Sequence, residues 1–182
     1  MPAKSASEAE SNFAYYFRES LSVVTNAYLK AAIEGDKRVL LYEPPVRLQR
    51  KSGDSLYLTV TQTFLISDTN GQFKAKTTSY SYALLVKKNG NFETIAEFHW
   101  HPDTTPKLRW PHVHIKANSA EGDLHRKHFP TARVALEDFI KFLIRDFGIT
   151  PRLAYDDWKE ILTRNKREFM AHASWLHWEP LI

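Results

Sequence analysis

The sequence predicts an α+β fold. It calls for an antiparallel β-meander of about four to five strands, an N-terminal helix, and two C-terminal helices packed mainly on one face of the sheet. Three observations predict it. Apolar residues recur at three- and four-residue intervals in the first and last thirds of the chain. The middle third alternates with a period of two. Within it, Asn70-Gly71 and Asn89-Gly90 each separate runs rich in Thr, Tyr, Val, Ile and Phe, the pattern of hairpins with two-residue turns.

The N-terminal element is read from Ser7 and Glu10, which stand in capping-box spacing, and from Phe13, Tyr16, Phe17, Leu21, Val24, Tyr28 and Ala31, which continue a helical stripe to Gly35. One long helix or two abutting ones fit this segment. Leu40, Tyr42, Pro44-Pro45 and Val46 then form an extended edge or connector, because paired prolines cannot sit in a central strand. The hairpin signals place strands at about 56–67, 72–87 and 91–101, with another at about 111–117 after a Pro-containing loop. Leu136, Phe139, Ile140, Leu143, Ile144 and Phe147 form an apolar helical stripe that Gly148 and Pro151 stop. Asp156 or Asp157 is expected to cap a last helix carrying Trp158, Ile161, Leu162, Asn165 and Phe169 on one side. The segment Trp175-Leu176-His177-Trp178 is expected to pack back on the domain or to contact a partner.

At 182 residues the chain is read as one domain: a helical segment 1–36, a sheet 37–117, helices 131–172 and an aromatic tail 173–182. It has 43% hydrophobic and 25% charged residues, which excludes wholesale disorder. It offers no run of about 18 apolar residues, and its first residues lack the apolar stretch of a signal peptide. A cytoplasmic protein without a membrane partner is therefore expected. No cysteine is present, so disulfides, thiol nucleophiles and cysteine metal sites are excluded, and His, Asp and Glu remain as strong metal ligands. The net charge of +4 permits a polyanionic partner.

Two-residue turns allow the hairpins to be paired on paper. Counting from Asn89-Gly90 sets Tyr82 opposite Glu97 and Tyr80 opposite His99; counting from Asn70-Gly71 sets Thr59 opposite Tyr82 and Thr61 opposite Tyr80. One face then collects Leu58, Val60, Phe64, Ala83, Leu85, Phe92, Ala96, Phe98 and Trp100, and should receive the helices. The other collects Thr59, Thr61, Tyr80, Tyr82, Glu97, His99 and His101.

The segments Phe98-His99-Trp100-His101-Pro102 and Pro111-His112-Val113-His114-Ile115 carry half of the eight histidines. Within each segment the two imidazoles fall on one side of the strand and the apolar neighbours on the other. Antiparallel pairing is expected to bring His101 near His112 and His99 near His114. Three chemistries suit such a cluster. His99, His101, His112 and His114 can ligate a Zn2+ ion, with Asp103 or Glu97 as a further ligand or base. They can serve as metal-free acid-base catalysts toward an RNA 2′-hydroxyl, with Tyr80 and Tyr82 beside them. They can also stack passively on bases. The plain alternative is a set of polar residues tolerated on a wet face.

A second group, His125, Arg126, Lys127, His128, Phe129, Pro130, Thr131 and Arg133, precedes the apolar helix. A helix start favours anions, so His128, Thr131 and Arg133 are candidate phosphate ligands, joined by Arg109 and Lys116 and with Lys107 nearby. The alternative is that Pro130 and Thr131 merely shape the start of the helix. His172 and His177 are assigned to tail packing. Phosphate-binding loops, dinucleotide glycine motifs, serine-hydrolase elbows and His-Glu-x-x-His helices do not occur.

The order Tyr80-Ser-Tyr82, Asn89-Gly90, His101-Pro102, Pro111-His112-Val113-His114 and His128-Phe-Pro130-Thr followed by an amphipathic helix resembles the TumE-like family of small bacterial toxins, over about Leu56 to Phe147. The resemblance implies a growth-inhibiting toxin paired with an antitoxin protein. It carries His101-Pro102 and Pro111-His112-x-His114 over as site positions, without fixing a reaction. The combined expectation is a toxin-like protein acting on RNA or another phosphate-bearing substrate. A zinc hydrolase of another substrate and a non-catalytic protein-interaction module are the alternatives.

Overall fold

The structure is a computed structural model that describes residues 3–102, 110–116, 118–119, 122–123 and 129–171. Helix α1 spans Ala6–Ser22, and the strands are β1 Lys30–Glu34, β2 Lys37–Leu41, β3 Val46–Gln49, β4 Ser55–Thr69, β5 Gln72–Lys88, β6 Asn91–Trp100 and β7 His112–Ile115. Two short pieces, β8 Asn118–Ser119 and β9 Gly122–Asp123, pair with each other; β10 is Phe129–Pro130, and helices α2 Leu136–Asp146 and α3 Tyr155–Ala171 follow. The α+β class and the helix–sheet–helix order agree with the sequence.

The strand count does not. The main sheet has eight antiparallel strands, ordered β1-β2-β4-β5-β6-β7-β10 with β3 also on β4, rather than four to five. The additional strands come largely from residues 30–49. The helix expected to reach Gly35 ends at Ser22, where Val23-Val24-Thr25-Asn26 supplies a run of poor helix formers. Lys30–Glu34 instead pairs with Lys37–Leu41 around Gly35, whose φ of 64° suits the first central position of a tight hairpin turn. The cap also shifts: the Ser5 hydroxyl accepts from the Glu8 N–H at 3.1 Å, and the Glu8 carboxylate accepts from the Lys4 N–H at 2.7 Å, in place of Ser7 and Glu10. Asp156 and Asp157 lie in the first turn of α3, which Tyr155 opens, where their charges still favour the helix dipole.

Both Asn-Gly turns are present as two-residue turns, with Asn70, Gly71, Asn89 and Gly90 all at positive φ and pairs Thr69↔Gln72 and Lys88↔Asn91. Away from the turns, two β-bulges change the count. Between Thr63↔Ser79 and Phe64↔Thr77, β5 carries the extra residue Thr78; between Leu84↔Ala96 and Leu85↔Thr94, β6 carries the extra residue Ile95. The pairs beyond are Val60↔Tyr82, Gln62↔Tyr80, Tyr82↔Phe98 and Tyr80↔Trp100. The apolar face therefore collects Leu58, Val60, Phe64, Tyr80, Tyr82, Leu84, Ala96, Phe98 and Trp100. Ala83, Leu85 and Phe92 belong to the opposite face.

The helices cover this apolar face. Phe13 of α1 packs on Phe64 with ring centroids 4.4 Å apart, and Phe139 of α2 on Tyr82 and Phe98 at 5.6 and 5.7 Å. Phe139, Ile140, Leu143, Ile149 and Leu162 are fully buried in the shared core. Gly148, at φ 66°, ends α2 in the left-handed conformation that glycine adopts without a Cβ penalty. Helix α3 is tied to α1 by Asn165 Nδ2, which donates to Ser20 Oγ at 3.0 Å and to the Tyr16 carbonyl at 3.2 Å. Ser20 Oγ in turn donates to Glu137 of α2 at 2.7 Å. No helix among the described residues is long and apolar enough to cross a membrane.

Candidate metal centre

The site lies on the sheet face opposite the helices, where β6 pairs with β7. Alternation along each strand puts His99 and Glu97 on one side and Phe98 and Trp100 on the other, and likewise His112 and His114 against Val113 and Ile115. The observed pairs are His99↔His112, Glu97↔His114 and Phe98↔Val113. This register slides by two residues from the expected one, which set His101 near His112 and His99 near His114. A slide of two preserves sidedness, so the imidazoles stay together while their partners change. Beyond β7, Pro130 of β10 stands opposite His112.

Three rings converge. The His99 centroid is 4.0 Å from His112 and 4.8 Å from His114, and His112 is 5.2 Å from His114. One ligand nitrogen from each of these three lies within 4.8 Å of the other two. A tetrahedral zinc with Zn–N bonds of about 2.0–2.1 Å needs nitrogens roughly 3.3 Å apart, so the three rings would draw closer together to hold one. His101 stands beside His99 at 5.5 Å between centroids but outside this group of three.

The surroundings prepare His112 as a ligand. It is 3% exposed, and its Nδ1 lies 3.0 Å from the Trp110 carbonyl. A carbonyl accepts only, so Nδ1 carries the proton and Nε2 keeps its lone pair, the tautomer that a metal requires. The Nε2 atoms of His99 and His112 are shielded from solvent. Burial lowers the His112 pKa, opposed by the Trp110 hydrogen bond, and burial likewise lowers His101, opposed by the charge of Glu97. Both shifts favour the neutral ring. Glu97 brings a carboxylate to the same face, and Ser81 Oγ donates to its Oε1 at 2.8 Å.

The other expected site residues fall elsewhere. Tyr80 and Tyr82 lie on the helical face, because the bulge at Ile95 pairs His99 with Ser81 rather than with Tyr80. Tyr82 donates to Gln62 Oε1 at 2.6 Å, and Tyr80 accepts from the Val134 N–H at 3.0 Å. Burial pushes the Tyr80 phenol up to about 12 and Tyr82 well above its ordinary range, so neither ionises near neutrality. Arg133 stacks on Trp100 at 3.5 Å, also on the helical face and away from the imidazoles. Lys116 is held by Glu93 at 2.5 Å. Thr131 donates its N–H to the Pro111 carbonyl at 2.9 Å and so adjoins the start of β7. Arg109, His128, Lys107, Asp103, His125, Arg126, Lys127, His172, His177 and the aromatic tail lie outside the described residues. The residues that sequence reasoning missed are Ser81, which becomes visible only once the bulge is known, and Trp110, which acts through its backbone.

Comparison with protein-family models, curated proteins and solved structures finds no match for this chain.

Proposed function

We propose that the protein is a metal-dependent hydrolase built on His99, His112 and His114, acting on RNA or another phosphate-bearing substrate. One observation carries the reading: three imidazoles from two paired strands present their nitrogens within 4.8 Å of one another. His99, His112 and His114 would hold a zinc-class ion, which would supply Lewis-acid polarisation and a water of lowered pKa. The chain's own residues do the rest. The Trp110 carbonyl fixes the His112 tautomer, Ser81 orients Glu97, and the Glu97 carboxylate is placed to take a proton on the same face. The phosphate-bearing class rests on the net charge of +4, which suits a polyanionic partner, and the resemblance to TumE-like toxins motivates an antitoxin partner and a growth-arresting role.

Metal analysis of protein purified without chelator is the test. One zinc-class ion per chain is expected, and His112→Ala or His114→Ala should weaken its binding by roughly 100-fold or more while the fold is kept. Stoichiometric metal in a folded double variant would overturn the centre. If the protein binds no metal yet cleaves RNA in a His112-dependent manner, the same rings act as acid-base groups instead. Growth arrest on induced expression, relieved in the double variant, is the outcome expected of a toxin.

A further inference from the structure

Strand β1 stands apart from the rest of the sheet. One edge of Lys30–Glu34 pairs with β2, and among the described residues no strand pairs with the other. All five residues are exposed; Ile33 is 68% accessible and Tyr28, just before the strand, 82%. Alternate residues of such a strand turn their N–H and C=O groups outward, a template for pairing with another chain. Proteins usually blunt these edges with short strands, charged side chains, prolines or bulges. Here the strand has no proline, and its register runs unbroken from Lys30↔Leu41 to Glu34↔Lys37.

The charges it does carry are arranged in a particular way: Lys30 and Glu34 are opposite in sign and equidistant from Ala32. We propose that β1 is a self-association edge, on which a second copy of this chain pairs antiparallel across a two-fold axis at Ala32. In that register Lys30 faces the second copy's Glu34, Ala31 faces its Ile33, and Ala32 faces its own counterpart. Symmetry repeats each charge pair and each Ala–Ile pair, as a two-fold interface requires. A slip of one residue sets Lys30 against Ile33 or Gly35 and loses both charge pairs, so the centred register is selected. The two sheets then join into one. The histidine centre lies toward the opposite end of the strand order, on β6 and β7, so the dimer leaves it accessible and stands or falls independently of the hydrolase reading.

Analytical ultracentrifugation of the full chain from ~1 to ~100 µM tests the edge and is expected to show a concentration-dependent dimer. Lys30→Glu sets carboxylates against carboxylates, and Glu34→Lys sets ammoniums against ammoniums. Each variant should weaken the homodimer roughly tenfold or more. Mixing the two in equal amounts should restore the dimer as a heterodimer, and the double variant Lys30→Glu/Glu34→Lys should restore it as a homodimer. Both positions are exposed, and unchanged circular dichroism and melting confirm that the fold is kept. A wild-type monomer throughout this range would overturn the proposal and leave the edge to a different protein. It is equally overturned by single reversals that leave affinity unchanged or by a mixture that fails to associate.

Discussion

At His112 the backbone sets the chemistry of a side chain. The Trp110 carbonyl decides which nitrogen holds the proton, and the surrounding sheet keeps the ring neutral. Tyr82 shows the opposite outcome for a residue expected in the same site: its hydroxyl is spent inside the core on Gln62. Tyr82→Phe should therefore leave a buried amide oxygen short of a donor and cost about 1–3 kcal/mol in chemical denaturation, with zinc affinity unchanged. Loss of metal binding in that folded variant would return the phenol to the site. The sidedness of His99, His112 and His114 was legible in the sequence because His-x-His within a strand has only one parity. Their partners were not, because a pairing register depends on every residue between the turn and the site, and no pattern marks Thr78 or Ile95 as extra.

At the scale of elements, the strongest signals were the ones with the most specific backbone demands. Both Asn-Gly turns sit where they were read, since each needs two residues at positive φ. The stripe of α2 was equally legible. Leu143, fully buried against the sheet, should cost about 2–5 kcal/mol when changed to Ala, measured by urea denaturation. The N-terminal helix was over-read for a physical reason. Tyr28 and Ala31 continue its three-to-four spacing by coincidence, whereas Val23-Val24-Thr25 disfavours further helix. Gly35-Asp36 was the available correction, a glycine-first hairpin turn between two short apolar runs. Beside Asn70-Gly71 and Asn89-Gly90 it is the quieter signal.

For the whole molecule, burial couples folding to pH in two opposing directions. His101 and His112 are held below the ordinary 6.5, so the unfolded chain protonates first as pH falls. Their contribution is present above pH 6.5 and is lost as pH drops through the lowered folded values. Glu137 is pushed above 4.5 by burial, so its contribution is complete below pH 4.5 and is lost as pH rises through its raised value. The melting temperature of chelator-treated protein should consequently fall as pH drops below 6.5, and His112→Gln should flatten part of that fall. An unchanged slope in the variant would mean that His112 titrates alike in both states. The bulge at Ile95 bears on the molecule as a whole as well. Counted without it, His99 would share a side with Tyr80 and be roofed by helices. Whether this protein carries its imidazoles outdoors or indoors thus turns on one residue, neither histidine nor glycine, standing out of the ladder: taken flat into it, Ile95 would turn the rest of the strand inside out, whereas losing its codon would leave His99 opposite Ser81.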